Sequence, residues 1–155
     1  MKKMTRGVSL LAAVPLLLAC SDSLAPDIDF LEVSVSVSKS AISPGEVTEL
    51  RATLTNPTGR DLVFTIGGCI LVFELRDSGD DRFIEPVVCD DTAFERVLEP
   101  GESLERTLLF DGTGWLTPSG PAPVPPGLSR VRAGMSFAFI NPSPFVDLRI
   151  LSGTP

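Results

Sequence analysis

Alternating apolar and polar positions mark the first two predicted strands of the chain. Val33, Val35 and Val37 alternate with serines, and this period of two is typical of a strand with one buried and one wet face. After the turn sequence SPGE at residues 43–46, Leu50 and Leu54 continue the same alternation over residues 47–55. The pattern therefore predicts two strands joined through a turn.

Seven further runs are rich in β-branched and aromatic residues and are bounded by Gly, Pro, Asn and Asp. They cover residues 62–66, 70–76, 82–88, 94–98, 103–110, 128–139 and 146–151. No amphipathic helix pattern interrupts them. About nine short strands separated by turns predict an all-β chain that folds as an antiparallel β-sandwich, with residues 31–155 forming one domain.

A near-repeat marks two of the turns. The sequences PGEVTEL from Pro44 and PGESLER from Pro100 each precede a predicted strand. Proline presets its own backbone angle and glycine adopts conformations that other residues avoid, so both segments are predicted to be tight turns. The similarity is too short to indicate a duplicated domain.

The N-terminus has the layout of a signal peptide. Basic residues occupy positions 2, 3 and 6, and residues 8–18 are almost wholly apolar. This run is shorter than the roughly 20 residues that span a bilayer as a helix, so we expect no transmembrane helix. Residues 1–19 are predicted to be the signal peptide, and residues 21–30, rich in small and acidic residues, are predicted to belong to a tether over residues 20–30. A first edge strand that begins early is the alternative for the tether.

The apolar run ends in Leu17, Leu18 and Ala19 directly before Cys20, and this junction resembles the bacterial lipoprotein box. The resemblance implies that the Cys20 thiol receives a diacylglycerol, that the chain is cut before it, and that the new N-terminus is acylated, which together anchor a protein stably. The alternative is a secretory signal with a coincidental cysteine. Because Ser21 follows instead of Asp, the resemblance implies an outer-membrane address, facing the periplasm or the cell surface, in a cell with two membranes.

The exported part of the chain is strongly acidic. Cleavage before Cys20 leaves 10 Lys and Arg residues against 20 Asp and Glu residues, a net charge of −10. Nucleic-acid binding depends on cationic side chains that displace counterions, so nucleic acid is excluded as an expected partner. The charge also keeps an exposed domain soluble.

The two remaining cysteines flank a predicted hairpin. If the strands are symmetric about Gly79, Leu75 faces Phe83 and Cys69 lies opposite Cys89, within reach of a disulfide bond in an oxidising compartment. The hypothesis is a structural disulfide; free or redox-active thiols are the alternative. This register also places Glu85 on the same face as Leu71, Phe73 and Leu75, which counts against a strict version of it, and a bulge near Pro86 that rotates Glu85 outward is the alternative.

Candidate chemistry is sparse. The chain has no histidine, which excludes Ser-His-Asp and Cys-His catalysis and histidine metal sites. Lys39 is the one lysine after the signal and lies in a polar setting.

The acidic residues at 77, 80–81 and 90–91 could supply oxygen ligands to calcium, but they lack EF-hand spacing, and solvated turns are the alternative. Carboxylate pairs for glycoside hydrolysis have no aromatic-rich cleft beside them. We expect no enzymatic activity, no cofactor and no metal.

The segment TPSGPAPVPPG at residues 117–127 is unusual in composition. It is interpreted as a stiff connection between strands, with a polyproline-type ligand as the alternative. Trp115, just before it, is expected in the core or at a sheet edge.

In order along the chain, ELRATLTNPTGRDLVFTI, FELRDSGDDRF, LEPGESLERTLLFDGTGW and VPPG resemble the BsuPI-type intracellular proteinase inhibitor domain over residues 31–139. The resemblance implies an immunoglobulin-like sandwich. The matching positions are short and mostly structural; they are Asn56, Asp77, Gly79, Pro100, Gly101, Glu102, Trp115, Pro126 and Gly127. Leu128 stands where the family has an aromatic-led motif, and this chain carries an export signal.

These observations predict a lipid-anchored, non-enzymatic envelope lipoprotein whose sandwich mediates contacts with an envelope protein that the sequence does not identify. The alternative implied by the resemblance is an extracytoplasmic inhibitor with a protease target.

Overall fold

The computed structural model describes residues 27–88, 92–136 and 139–153. Over these ranges it has one short 3-10 helix, Asp27–Phe30, and twelve strands. The strands are β1 (Glu32–Val37), β2 (Ala41–Ile42), β3 (Thr48–Thr55), β4 (Leu62–Ile66), β5 (Leu71–Arg76), β6 (Arg82–Ile84), β7 (Phe94–Leu98), β8 (Ser103–Phe110), β9 (Trp115–Thr117), β10 (Gly120–Ala122), β11 (Gly127–Met135) and β12 (Val146–Ile150). None of the helical structure in these ranges is long and apolar enough to cross a bilayer.

The predicted β-sandwich is confirmed. One sheet has the order β1-β3-β8, and the large sheet has the order β10-β9-β6-β5-β11-β12-β2. Strands β4 and β7 form a separate antiparallel pair. All neighbours are antiparallel except β12 and β2. Because β1 and β2 belong to different sheets, the chain crosses between the sheets around residues 38–40.

The core lies between the inner faces of the sheets. In β3, buried Leu50, Ala52 and Leu54 alternate with more exposed polar residues, as the period of two requires. Phe73 and Leu75 of the large sheet point into the core. The residues of β5 that point to the opposite face are buried as well, so that every residue from 71 to 75 is buried. The large sheet is therefore covered on both faces at its centre.

The sequence located most of the strands. Strands β4, β7 and β8 have the predicted bounds. The two-residue strand β2 and the β9–β10 hairpin were missed, because strands of two or three residues are too short to show a period of two. Residues 27–30, assigned to the tether, form the 3-10 helix, and Ile28 packs against the core. The sandwich therefore includes these four residues.

Both Pro-Gly-Glu segments are tight turns, as predicted. Gly45 and Gly101 have φ values of 83° and 75°, which glycine adopts without strain. In each turn the glutamate side chain accepts a hydrogen bond from the backbone N–H three residues earlier, at 2.7 Å for Glu46 and 2.9 Å for Glu102. This bond to Ser43 lowers the pKa of Glu46 below its ordinary value. The near-repeat reflects the same turn used twice.

The cysteine hairpin has the predicted register at its tip but not at its open end. Leu75 pairs with Phe83, as symmetry about Gly79 requires. Strand β6 ends at Ile84, so within the described residues the ladder stops short of the predicted pairing at Cys69.

Glu85 lies on the buried face, as the symmetric register requires, and no bulge rotates it outward. Glu85 is 2 % exposed. Its side chain accepts a hydrogen bond from the backbone N–H of Phe73 at 3.1 Å and forms an ion pair with Arg106 of β8, at 2.6 Å for the bond from Nη1 to Oε2. Arg106 also donates to the carbonyl of Leu71 at 2.7 Å. An acid can stay on the buried face here because β8 supplies its counter-ion.

The two ends of the sandwich are distinct. The base end, where the described chain begins, carries Asp27–Phe30 and residues 56–61 and 99–102. Asn141 donates to the carbonyls of Ile28 and Leu31, at 3.1 Å for Leu31, which joins the large sheet to this end.

The tip end carries the β5–β6 turn at residues 77–81. The tip end also contains three further loops, which are residues 43–47, 111–114 and 124–127. Strand β5 runs from Leu71 near the base end to Arg76 at the tip end. At about 3.3 Å per residue, the two ends are separated by at least about 17 Å.

Candidate functional site: an arginine-rich face of the large sheet

Half of the basic residues after position 20 lie on the outer face of the large sheet. Each of β5, β6, β11 and β12 carries arginine at one or two of its outward-pointing positions, and we call this surface the arginine face. Its members are Arg76, Arg82, Arg130, Arg132 and Arg149. Three carboxylates, Glu74, Asp80 and Asp147, accompany the five arginines. A chain with a net charge of −10 after position 19 therefore has one surface with more positive than negative groups.

Three of these arginines form a row across neighbouring strands. Arg76 is directly opposite Arg82 on one side and Arg130 on the other. Strands lie about 4.8 Å apart, so the Cα atoms of the row span roughly 10 Å. Like charges placed directly opposite one another destabilise a sheet, so this row needs nearby carboxylates.

Glu74 is the central counter-ion. Its side chain has no exposed surface and accepts from Arg76 Nε at 2.7 Å, Arg82 Nε at 3.0 Å and Arg132 Nη2 at 3.1 Å. Asp80 accepts from Arg76 at 2.9 Å and from Arg130 at 3.2 Å. The five arginines thus share few acceptors, and within the described chain the buried Nε of Arg132 has no hydrogen-bond partner.

The pKa values of Glu74 and Arg76 are shifted in the directions that favour their charged forms. Burial by itself would raise the pKa of Glu74, but hydrogen bonds from Arg76 and Arg132, with the charges of Arg132 and Arg82, lower that pKa below 4.5 overall. The bond to Glu74, followed by that to Asp80, raises the pKa of Arg76. Both groups are therefore ionised at neutral pH.

Aromatic rings cover the base side of the cluster. The guanidinium carbon of Arg132 lies 4.8 Å from the ring centre of Phe145 and 5.5 Å from that of Phe139. Arg82 also lies over Phe139, and Arg130 over Phe145. A side chain at Gly134 would meet Phe139 atoms at 2.7 Å, so glycine is required for this segment to lie on the sheet. Such cation-π contacts hold the planar groups in place.

The tip side of the arginine face is open. The side chains of Arg82 and Arg130 are 42 % and 47 % exposed. Beside Arg82 lies a depression of about 280 Å³ lined by Ile84, Leu116, Thr117 and Pro118. Leu116 is opposite Ile84 in the sheet, so these apolar side chains share a face with the arginines. We call them the apolar strip.

The arrangement suits recognition of a carboxylate or another anion. Guanidinium groups present planar sets of donors that match carboxylates bidentately. In the described ranges no three Cys, Asp or Glu side chains lie close enough together to hold a metal ion.

The predicted cysteine sites lie mostly outside the described residues. Cys20 and Cys89 both do. Cys69 immediately precedes Ile70 and β5 in the described chain. Lipidation of Cys20 and a disulfide between Cys69 and Cys89 stay predictions.

The acidic hairpin tip has structural contacts. One side-chain oxygen of Asp77 accepts from the backbone N–H groups of Gly79 and Asp81, at 2.8 and 2.9 Å, and Asp80 binds the two arginines described above. Asp90 and Asp91 lie outside the described residues. The tip carboxylates therefore organise the turn and balance the arginine face.

Other candidate positions also have local structural roles. Lys39 forms an exposed ion pair with Glu46 at 3.4 Å. Trp115 is 3 % exposed and packs edge-on against Phe110 at 5.3 Å between ring centres, which confirms the prediction of a core position. The proline-rich segment contains β10 and buries Val124.

Asn56 shows what the family-like motif positions do. It is fully buried and donates to the carbonyls of Arg60 and Leu98, both at 2.8 Å, while its side-chain oxygen accepts from Thr58. These bonds hold the turn after β3. The Pro-Gly-Glu turn and Trp115 are likewise structural, so the motif carries information about architecture.

Sequence reasoning missed the arginine face. The sequence does contain arginines of this face: two at alternate positions, 130 and 132, and two more at positions 76 and 82. The face could not be recognised because neighbouring strands were not known: β5 pairs with β11, more than 50 residues away.

No protein-family model matches the chain, and no curated protein matches it. Among solved structures, a β-glucosidase from Listeria innocua in complex with isofagomine is similar, at 15 % identity and a TM-score of 0.48. The match covers 79 % of this chain and 16 % of the β-glucosidase chain. The Pseudomonas fluorescens alkylpurine DNA glycosylase AlkC, bound to DNA containing an abasic site analogue, is also similar, at 12 % identity and a TM-score of 0.47. The match covers 78 % of this chain and 30 % of the glycosylase chain.

A CARDB domain from Pyrococcus furiosus, in complex with di-metal ions, is similar at 14 % identity over 78 % of this chain and 87 % of that chain, at a TM-score of 0.43. The chain spans less than a third of the β-glucosidase and of the glycosylase. At these identities and TM-scores, the similarities carry no argument about activity or ligand.

Proposed function

We propose that this chain is a lipoprotein anchored through Cys20, and that its β-sandwich is a non-enzymatic module that binds an envelope protein. The observation that carries the proposal is the separation of the two ends of the sandwich. The described chain begins at the base end, while the hairpin tip, the proline-rich segment and the open side of the arginine face lie towards the tip end.

The length of the connection supports this arrangement. Six residues separate Cys20 from Asp27, and an extended chain spans at most about 3.5 Å per residue. The base end would then lie within about 25 Å of the membrane surface. With acyl chains at Cys20, the tip end would face away from the bilayer, where an envelope protein can reach it.

The contacts of the buried carboxylates support a binding module. Glu74 and Glu85, the buried acids of the described ranges, are held by arginines in ion pairs. A general acid or base needs a pKa near the working pH and access to a substrate. Glu74 has a lowered pKa and no exposed surface, which favours a structural role.

The anchor is tested with a Cys20→Ser variant expressed in a bacterium with two membranes. We expect the unaltered protein in the membrane fraction, with a mass that shows an acylated N-terminal cysteine. The variant should lack the acyl groups. A Ser21→Ala variant is the matched control and should remain acylated. A Cys20→Ser protein that fractionates and weighs like the unaltered one would refute the anchor.

Binding is tested by in-cell crosslinking from the two ends. A photo-crosslinking residue at Pro118, at the tip end, is expected to capture a protein partner, whereas one at Thr58, at the base end, should not. Capture from Thr58 alone would contradict the proposed orientation.

The second candidate is an extracytoplasmic protease inhibitor, as the resemblance to the BsuPI family implies. The β9–β10 hairpin favours it, because Thr117 Oγ1 donates to the carbonyl of Gly120 at 2.8 Å and accepts from the N–H of Ser119 at 3.2 Å. A loop that inserts into a protease needs this kind of preorganisation. The purified protein should then inhibit at least one envelope protease in proportion to its dose, and Pro118→Ala should weaken inhibition. No inhibition across a panel would reject this candidate.

A further inference from the structure

We propose that the arginine face binds an extended acidic peptide segment of the partner protein, with apolar side chains of that segment on the apolar strip. This inference rests on the proposed function, since it assigns a chemistry to the partner of the same module. It follows from the charge of the face, its exposed N–H donors, the spacing of its arginines, the apolar strip beside them and its position at the tip end.

The charge of the face is opposite to that of the rest of the domain. Five arginines meet three carboxylates on the face, with Asp81 beside Arg82 at its tip edge, whereas the chain after position 19 has twice as many acids as bases. Complementary potentials steer association and select partners. An acidic segment would be repelled by most of this domain and attracted at one place, which defines a binding position.

The donors of the row exceed its acceptors. Arg82 uses Nε for Glu74, and Arg130 uses Nη2 for Asp80. For these two arginines no other hydrogen bond is formed with the described residues. Both side chains are more than two-fifths exposed, so their remaining N–H groups can bind carboxylates.

The geometry fits an extended chain. The row spans roughly 10 Å, and side chains on one face of a strand repeat every 6.6 to 6.8 Å. Two glutamates separated by one residue can therefore reach Arg82 and Arg130. Glu74 below the row holds the guanidinium of Arg82 through Nε and reduces the cost of ordering it on binding.

The apolar strip distinguishes a peptide from other anions. Ile84, Leu116 and Pro118 line the depression beside Arg82, and Leu116 is 37 % exposed. A phosphate-rich polymer or a lipid headgroup has no apolar group to place there, while a peptide with Glu and Leu does. The net charge of the domain also opposes long polyanions. The open side of the face lies at the tip end, remote from the segment that leads to Cys20.

The test uses the purified acylated protein in neutral detergent and two fluorescent synthetic peptides of equal charge. One alternates Glu with Leu and the other alternates Glu with Ser. We expect the Glu-Leu peptide to bind at least about tenfold more tightly, because one buried leucine contributes at least 1.4 kcal/mol. Affinity should fall as salt is raised. No binding of the Glu-Leu peptide at about 1 mM peptide, or equal binding of both peptides, would overturn the proposal.

The variants separate the site from overall charge. Arg82→Gln with Arg130→Gln should weaken binding of the Glu-Leu peptide at least about tenfold, since each substitution removes a charge-assisted hydrogen bond to a glutamate of the peptide. The matched double variant Arg51→Gln with Arg96→Gln removes the same charge from other surfaces and should change affinity less than about twofold. Equal weakening by both double variants would overturn the proposal.

A second variant guards against a folding defect. Leu116→Ser keeps every arginine and should abolish the preference for Leu over Ser in the peptide, with unchanged fluorescence from buried Trp115. Retained preference would overturn the proposal. Binding to vesicles containing phosphatidylglycerol that depends on Arg82 and Arg130 would also overturn it, in favour of a lipid headgroup.

The failure of this inference is distinguishable from the failure of the proposed function. If crosslinking at the tip end captures a partner but the arginine variants do not affect capture, the module stands and the acidic-peptide assignment falls. If no partner is captured while the Glu-Leu peptide still binds with the expected variant pattern, the proposed function falls and the chemistry of the face stands.

Discussion

Replacing Glu74 with glutamine is expected to lower the free energy of unfolding by about 3 to 5 kcal/mol, the cost of breaking a buried ion pair by removing one partner. Glu74 accepts from three arginines and has no exposed surface. Glutamine keeps the size of the side chain but leaves adjacent guanidiniums without their shared charge. Unfolding by urea, followed through Trp115, the one tryptophan of the chain, measures the loss.

The control for Glu74 is Asp147→Asn. Asp147 lies on the same face and is exposed, and its substitution makes the same change in net charge. We expect an effect within about 0.5 kcal/mol. If both variants lose the same stability, total charge on the face explains the result and the central role of Glu74 is refuted.

The pH dependence of stability gives an independent measure of the same cluster. The pKa of Glu74 is lowered from 4.5 in the folded protein, so its contribution is complete above that value and is lost as the pH falls through the lower, folded pKa. The unaltered protein should therefore lose stability between pH 4.5 and that lower value. The difference between unaltered protein and Glu74→Gln should shrink over the same window; a constant difference would contradict the assignment.

The second large effect is expected at the ion pair that links the two sheets. Glu85→Gln should lower the free energy of unfolding by about 3 kcal/mol, because Arg106 is left partly buried without its counter-ion. Arg106→Met should cost a similar amount, since Glu85 then keeps a buried charge. Urea unfolding of the single and double variants provides a double-mutant cycle.

The cycle has a definite expected outcome. The loss in the double variant should be smaller than the sum of the two single losses by about 1 to 3 kcal/mol, as for residues in direct contact. Glu105→Gln, at the neighbouring exposed position of β8, should change stability by less than about 0.5 kcal/mol. Strictly additive losses would show that Glu85 and Arg106 act separately.

These two acids illustrate where sequence reasoning ends. Glu74 and Glu85 both sit in segments with a clear strand pattern, and the pattern predicted the hairpin and its tip register. The same register places Glu85 on the buried face, and outward rotation by a bulge was the alternative because a buried acid without a counter-ion is costly. The counter-ion, Arg106, lies 21 residues further along the chain in the other sheet, and only the packing of the two sheets brings it there.

The turns show the opposite case. The segments around Gly45 and Gly101 were predicted as tight turns from proline, glycine and glutamate, and each has a positive φ and a local glutamate bond. All the interactions that define such a turn lie within four residues. Local chemistry is therefore sufficient there, as it is for the alternation of Val and Ser in β1.

The amino-acid sequence by itself determined the all-β class, most strand positions and the turns, because alternation and turn chemistry act over a few neighbouring residues. It also predicts the anchor at Cys20, which depends on a contiguous motif. Tertiary structure alone decided that the arginines of β5, β6 and β11 share one face around Glu74, and that Glu85 is buried against Arg106. Those outcomes depend on which distant strands pair and on how the two sheets pack. The Coulomb energy of an ion pair depends on the distance between its charges and on their burial, and no local sequence pattern encodes either quantity.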